Sequence, residues 1–216
     1  MRTIHRRTLL GWVCLPAFRA VGASHFWDSK PASQWTAGEI AEMVSNSPWG
    51  KQVTAQYRIA LEDNTRARPG TELQQGRGEA KVGECGLVPC GAIMPGKVAV
   101  IWESAQPVRE AIHPRIPAEM NDHYVISVRG LEGEYSIDRL MDGSELSAKG
   151  KPAVQPGLVR QRNATWLFAF SKELMPLDVN DKDVQFVVHT GANLSMTLVR
   201  AVFNPKEMIY RGTLAL

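Results

Sequence analysis

The chain has 216 residues, of which 44% are hydrophobic and 22% charged, a composition typical of a globular protein rather than a disordered or fibrous one. Its formal charge is +3, but four of its 25 basic residues lie in the first 23 positions, which contain no acidic residue. Without that segment 21 basic residues face 22 acidic ones, so the remaining chain lacks the basic excess that nucleic-acid-binding proteins carry.

Residues 1–23 have the pattern of an export signal. Three arginines, Arg2, Arg6 and Arg7, precede an apolar run over Thr8–Phe18, and Val21-Gly22-Ala23 supplies the small residues that a signal peptidase reads. The run has 11 residues, against the roughly 20 needed to span a bilayer, so it does not indicate a transmembrane anchor. We expect cleavage before Ser24 and a periplasmic or extracellular protein.

The sequence is compatible with two export routes, the twin-arginine route and the ordinary secretory route. Arg6-Arg7-Thr8-Leu9-Leu10 resembles a twin-arginine signal, and Arg19 fits the basic residue that such signals often carry near the cleavage site. However, Gly11 stands where a lysine is common in these signals. An ordinary secretory (Sec) signal with two adjacent arginines explains the same pattern.

The next segment, residues 24–50, is rich in tryptophan. Thr36-Ala37-Gly38-Glu39 has the spacing of a capping box and predicts a short helix, which Ser47-Pro48 ends because proline disfavours helical angles in the residue before it. Trp27, Trp35 and Trp49 flank this helix. They are a candidate binding surface, and the alternative is that they dock onto a sheet.

Residues 51–216 read as a single β-rich domain. Apolar and polar residues alternate from Lys51 to Leu61, which is typical of a strand with one buried face. Seven further runs read as strands: 97–103, 124–128, 154–160, 165–170, 184–189, 194–203 and 209–216. The turn residues Gly191-Ala192-Asn193 predict a hairpin between two of them, with the chain ending inside the sheet. Pro107–Ile112 and Glu134–Met141 predict two minor helices. The expected fold is mainly β, an antiparallel β-sandwich or a barrel-like domain.

One long stretch, residues 62–96, interrupts this pattern with seven glycines and three prolines in 35 residues. A loop of that length is usually functional or disordered. It contains Cys85 and Cys90, the two cysteines outside the predicted signal, and in an exported protein they predict a disulfide that braces the loop.

Two chemical alternatives for these cysteines are weaker. Redox enzymes use C-x-x-C between a strand and a helix, whereas Cys85 and Cys90 are separated by four residues among glycines and prolines. A zinc site would need two more ligands, and no second cysteine pair or nearby histidine provides them.

Acidic and histidine residues suggest one further site. Glu110 and His113 share a face of the predicted helix, and Asp122 and His123 follow, so the four could hold a metal ion if the prolines between them fold the segment back. The simpler interpretation is a solvated loop with surface charges. We therefore predict no metal and no other cofactor, and keep this set as an alternative.

The chain contains no G-x-S-x-G elbow, no H-E-x-x-H zinc motif and no G-x-x-x-x-G-K-[ST] phosphate loop. Several of its segments resemble a group of exported bacterial proteins of unknown function, chiefly from acidobacteria. These segments are Phe26–Pro31, Ser47–Trp49, Trp102–Ala111 without Gln106, and Met208–Leu216. The resemblance implies no activity, cofactor or catalytic residue.

Two functions are compatible with these observations. The first is a binding or structural module of the cell envelope, whose partner would be an envelope protein, a glycan or a small apolar ligand. Its candidate surfaces are the 62–96 loop and the tryptophan segment. The second is an enzyme with a dispersed site, and its candidate residues are Glu103, Arg109, Glu110, His113 and His123.

Overall fold

The computed structural model describes residues 25–59, 92–192 and 195–216. The predicted export signal and the predicted Cys85–Cys90 disulfide lie outside these residues. Within the described ranges, no helix is both long enough and apolar enough to cross a membrane.

The protein is mainly β, as its alternating pattern predicts, and its principal element is an eight-stranded antiparallel sheet. Neighbouring strands follow the order β4-β7-β8-β1-β2-β3-β6-β5. In chain order the strands are β1 (Gly50–Ile59), β2 (Ala92–Trp102), β3 (His123–Arg129), β4 (Ser144–Ser147), β5 (Leu158–Arg162), β6 (Thr165–Ser171), β7 (Val184–Ala192) and β8 (Ser195–Phe203). The predicted hairpin across residues 191–193 is confirmed, because β7 and β8 pair up to Ala192 and Ser195.

The sheet curls into a half-barrel, and one short segment meets both of its edges. Val154 exchanges two backbone hydrogen bonds of 2.9 and 2.8 Å with Leu146 of the edge strand β4. Three residues later, the Gly157 amide donates to the carbonyl of Ala169 in β6, next to the other edge strand, β5. Because this connection is so short, the two edges lie near each other. The segment also occupies hydrogen-bonding groups that an open edge would expose.

The inner face of the curled sheet holds the main hydrophobic core. Trp166, Phe168 and Phe170 alternate along β6 and face inward, as do Val184, Phe186 and Val188 along β7. Edge-to-face pairs join the two strands, with ring centroids 5.3 Å apart for Phe168 and Phe186 and 6.0 Å apart for Phe170 and Phe186. The period-two pattern of these strands thus places one row of side chains in the core.

In the described residues, four short α-helices accompany the sheet: α1 (Phe26–Ser29), α2 (Ala37–Ser45), α3 (Gln106–Ile112) and α4 (Ile137–Asp142). The predicted capping box is present, since the Thr36 hydroxyl accepts from the Glu39 amide and the Glu39 carboxylate accepts from the Thr36 amide. Helix α2 packs closely on the start of β1. A Cβ atom at Gly50 would lie 2.5 Å from the carbonyl carbon of Val44, so this approach requires glycine.

The strands differ from the sequence predictions at three places. Residues 92–96, assigned to the long loop, belong to β2. The strand predicted from Val154 begins at Leu158, because Val154 forms only an isolated bridge to β4. Strand β4 itself was not predicted, since Ser-Glu-Leu-Ser is too short to establish an alternating pattern.

The C-terminal segment also differs, because it does not end inside the main sheet. Residues 209–216 form a separate hairpin of β9 (Ile209–Tyr210) and β10 (Thr213–Leu214). The intervening Arg211 and Gly212 have φ angles of 49° and 82°, and positive φ at both central residues is what a type I′ turn requires. This turn divides the run that was predicted as one strand.

Candidate functional site

Helix α3 brings together three of the residues predicted from sequence. Pro107 lies in its first turn, where a missing amide proton costs nothing, and His113 caps the C-terminal end of the helix with a left-handed φ of 44°. One turn therefore separates Arg109 from His113, and Glu110 follows Arg109 in the same turn. Arg109 and His113 are exposed, whereas Glu110 is partly buried.

These residues line a groove of about 510 Å³ between α3 and the C-terminal segment. The helix side contributes Arg109, Glu110 and His113, and the opposite side is formed by residues 214–216. Polar helix residues thus face an apolar wall that contains two leucines. The groove is open to solvent.

A second groove of about 550 Å³ lies between α3 and the N-terminal segment. Its walls include Trp35, Ile40 and Arg211, and it shares Glu110 and His113 with the first groove. The two shared residues therefore form a polar ridge between two open grooves.

Glu110 is held by three donors. The Tyr210 hydroxyl donates to Glu110 Oε2 at 2.9 Å, and Gln106 Nε2 donates to Oε1 at 2.8 Å. Arg211 contacts both carboxylate oxygens, with Nη1 3.3 Å from Oε1 and Nη2 3.1 Å from Oε2. Since both oxygens already accept hydrogen bonds, Glu110 is placed to anchor the C-terminal hairpin rather than to take a proton from a substrate.

Tyr210 links this polar ridge to the core. Burial, followed by the hydrogen bond and the negative charge of Glu110, raises the pKa of Tyr210 to about 12. The guanidinium of Arg211 lies 4.7 Å from the centroid of the Tyr210 ring, in cation–π distance. The phenol therefore stays neutral and keeps donating to Glu110 at physiological pH.

The three tryptophans predicted as a binding surface lie in the core. Their exposed fractions are 5% for Trp27, 7% for Trp35 and 0% for Trp49. With Phe26 and Tyr210 they form a series of edge-to-face rings, called here the aromatic cluster, with centroid distances from 4.8 to 6.4 Å. Their position agrees with docking onto the sheet, and a ligand-binding role for them stays a prediction.

The structure also places the four residues of the metal alternative. Glu110 and His113 lie on the ridge, whereas His123 begins β3 and Asp122 precedes it. Within the described residues, no group of three histidine, cysteine, aspartate or glutamate side chains is arranged to hold a metal ion. The four predicted ligands therefore do not assemble as a set.

Glu103 lies apart from these grooves, on the outer face of the sheet, and is fully buried. Arg162 Nη2 donates to both of its carboxylate oxygens, at 2.8 and 2.9 Å. Arg129 Nη2 lies 3.7 Å from Oε1. We call these three residues the arginine cluster. It holds part of the 113–122 segment in place, because Arg162 Nη1 also donates to the carbonyl of Arg115 at 2.8 Å.

Sequence reasoning selected Glu103 and Glu110 but missed their partners. Arg162 lies 59 positions from Glu103, and Tyr210 lies 100 positions from Glu110. The one available signal was the spacing of Arg160, the last residue of a predicted strand, and Arg162 two positions beyond it, which would place two arginines on one face if the strand continued. No local pattern linked either arginine to a carboxylate.

Comparison of the chain with protein-family models, with curated proteins and with solved structures finds no match. The resemblance to exported acidobacterial proteins therefore stays a prediction.

Proposed function

We propose that this protein is a binding module of the cell envelope, and that it docks an acidic segment of an envelope protein along helix α3. One observation carries the proposal: Arg109 and His113 are exposed in a groove whose only side-chain carboxylate among the described lining residues, Glu110, is already paired with Arg211. Arg109 has no ion pair within the described residues. An acidic side chain of a partner would supply one.

The lining of the two grooves favours a protein over the other predicted partners. Leu214 and Leu216 form an apolar wall opposite Arg109, and the adjoining groove adds Ile40 beside Arg211. Arginine beside apolar residues is characteristic of protein interfaces. A small apolar ligand would leave these charges unpaired, and the indole faces on which a sugar could stack are buried in the aromatic cluster.

Binding is favoured over catalysis by the state of Glu110. A general base needs a free oxygen within hydrogen-bond distance of the proton it removes. Both oxygens of Glu110 instead accept from protein donors, and Glu103 is buried against Arg162 outside the groove. Of the predicted catalytic set, Arg109 and His113 remain exposed in the groove, and an arginine and an imidazole can recognise an anion without reacting with it.

The test is a titration of protein beginning at Ser24 with two fluorescent peptides, one alternating glutamate with leucine and the other lysine with leucine. We expect salt-sensitive binding of the glutamate peptide, and a loss of roughly fivefold or more in affinity for Arg109→Ala, corresponding to about 1 kcal/mol. Arg200→Ala is the matched control, because Arg200 is an exposed arginine on β8 outside both grooves. Equal binding of the two peptides, or equal losses in the two variants, would refute the proposal.

The envelope location rests on residues 1–23 and is tested separately. We expect this segment, fused to a reporter, to direct export and to be cleaved before Ser24. Replacing Arg6 and Arg7 together by lysine should abolish export by the twin-arginine route and leave export by the ordinary secretory route nearly unchanged. Retention of the unmodified fusion in the cytoplasm would contradict the location.

A further inference from the structure

The arginine cluster on the outer face of the sheet is a second polar site, separate from the α3 grooves. The register pairs Arg129 with Thr165 in the neighbouring strand, and Thr165 in turn with Arg162. Residues directly opposite each other in adjacent strands share a face of the sheet. The two arginines and the threonine between them therefore form one row across β3, β6 and β5.

Glu103 lies beneath this row and holds both guanidinium groups near one point. Its carboxylate is 0% exposed, whereas the side chains of Arg162 and Arg129 are 27% and 41% exposed. The Nη2 atoms of both arginines lie within 3.7 Å of the same carboxylate oxygen. The cluster thus has its negative charge on the inside and its positive charges on the side that faces solvent.

The charges do not balance within the cluster. One carboxylate faces two guanidinium groups, which leaves one positive charge in excess. The Arg129 side chain makes no hydrogen bond within the described residues, and its Nε atom is buried without a partner. Arg162, by contrast, is bonded to Glu103 and to the carbonyl of Arg115.

Such an arrangement is poorly explained by stability alone. Burying a carboxylate and its ion partners costs several kcal/mol, and apolar side chains in their place often give equal or greater stability. A carboxylate that fixes two planar guanidinium groups does, however, lower the entropy that the arginines lose when they bind an anion. The geometry therefore fits recognition better than packing.

We propose that Arg129 and Arg162, fixed by Glu103, bind a phosphate group, with the Thr165 hydroxyl as a further donor in the same row. Guanidinium groups match the oxygens of phosphate with paired hydrogen bonds, and the one positive charge in excess favours binding of an anion. The group is either free inorganic phosphate or a phosphate monoester on a larger molecule. The protein would in either case carry an anion site outside the α3 grooves.

The experiment titrates the full mature chain with inorganic phosphate, glycerol phosphate and chloride at matched ionic strength, followed by nuclear magnetic resonance shifts and thermal unfolding. We expect saturable shifts with both phosphates and none with chloride. Tighter binding of glycerol phosphate would assign the site to a phosphate carried on a larger molecule, and equal binding would assign it to free phosphate. A response to chloride equal to that to phosphate would overturn the proposal.

Variants locate the site. Arg129→Ala should weaken phosphate binding by about tenfold or more, because it removes hydrogen bonds to a charged group, and Arg129→Lys should recover only part of it because lysine lacks the paired donors. Arg160→Ala is the control: it removes one exposed arginine from the same face of β5, where it is paired with Glu119. Unchanged phosphate binding in folded Arg129→Ala, or equal losses in both alanine variants, would contradict the proposal.

Crossed measurements separate this site from the proposed protein-binding groove. Arg129→Ala should keep the affinity for the glutamate peptide, and Arg109→Ala should keep the affinity for phosphate. A loss of phosphate binding in Arg109→Ala equal to that in Arg129→Ala would show that no separate site exists.

Discussion

The aromatic cluster and the arginine cluster both contain fully buried side chains, but they stabilise the protein differently. In the aromatic cluster, Trp49 and its neighbouring rings contact one another edge to face, and the Trp49 Nε1 donates to the carbonyl of Ala215 at 2.8 Å. In the arginine cluster, a buried carboxylate is matched by two arginines that are partly open to water. Burial of apolar surface in the aromatic cluster stabilises the fold. In the arginine cluster, desolvation of the carboxylate offsets much of the attraction between the charges, and the main effect of the ion pairs is to fix the positions of the side chains.

The two clusters also connect different parts of the chain. The aromatic cluster joins the N-terminal segment to β1 and to the C-terminal hairpin, through Trp27, Trp49 and Tyr210. The arginine cluster joins β5 to the end of β2 and to the segment that contains Arg115. Loss of the first should therefore destabilise the whole fold, and loss of the second should act on one face of the sheet.

The largest expected effect is that of Trp49→Ala. Trp49 is fully buried, so the substitution leaves a cavity and an unpaired Ala215 carbonyl. We expect a loss of about 3–5 kcal/mol in the free energy of unfolding, measured by urea denaturation. Leu174→Ala is the control, because the Leu174 side chain is 68% exposed and should change stability little. A loss below that range would mean that the cluster is not the centre of stability.

Glu103→Gln tests how much the arginine cluster contributes to stability. The amide keeps the shape of the side chain but removes the charge that holds Arg162 and Arg129. Because both arginines reach water, we expect a loss of about 1–3 kcal/mol, smaller than for a fully enclosed pair. Glu119→Gln is the matched control, since its ion pair with Arg160 is about half exposed on both sides and should contribute little.

A double variant shows whether the ion pairs of the arginine cluster stabilise the fold or mainly fix the positions of the arginine side chains. Glu103→Leu combined with Arg162→Met replaces the pair by apolar side chains of similar size, and we expect it to be more stable than Glu103→Gln. The same double variant should lose phosphate binding. If it were instead less stable than the single variant, the ion pair would be a net stabilising element and the contrast between the clusters would fail.

Features that depend on neighbouring residues could be predicted from the sequence, whereas features that depend on residues far apart in the chain could not. The capping box of Thr36 and Glu39 and the alternation along β6 and β7 are local patterns, and both were predicted correctly. The division of residues 209–216 was not predicted. Arg211-Gly212 is not one of the residue pairs common in type I′ turns, so the alternating pattern of residues 209–216 did not indicate a turn at this position.

The site was harder to predict than the fold for the same reason. Arg109, Glu110 and His113 were selected because they lie on one helix turn, and they do share a groove. The partners that decide what Glu110 can do, Tyr210 and Arg211, come from a hairpin about 100 positions away. Only the folded structure shows that both oxygens of the Glu110 carboxylate already accept hydrogen bonds.

Tyr210→Phe acts where the aromatic cluster meets the polar ridge. It removes one hydrogen bond from Glu110, which keeps those of Gln106 and Arg211, so we expect a loss of about 1 kcal/mol. The loss should depend on pH. The pKa of Tyr210 is raised from 10 to about 12 in the folded protein, so its contribution is complete below pH 10 and disappears as the pH rises through 12.

The measurement for Tyr210 is the free energy of unfolding of both proteins across this alkaline range. The difference between them should shrink between pH 10 and 12. Glu110→Gln provides the check on the cause, because removing the negative charge should lower the pKa of Tyr210 seen by phenolate absorbance. An unchanged pKa in that variant would assign the whole shift to burial.

The smallest expected effect belongs to the Lys30–Glu39 ion pair of the N-terminal segment, in which both side chains are partly exposed, whereas Glu103 of the arginine cluster is fully buried. Hydrogen bonds from Lys30 and from the Thr36 amide lower the pKa of Glu39 from 4.5 to about 2. Its contribution to stability is therefore present above pH 4.5 and is lost as the pH falls towards 2. Glu39→Gln should remove part of the acid sensitivity of unfolding, whereas Glu42→Gln, an exposed carboxylate on the same helix outside the capping box, should leave it unchanged. Thermal unfolding followed from neutral to acid pH measures both, and identical acid sensitivity in the two variants would show that the capping box does not couple to folding.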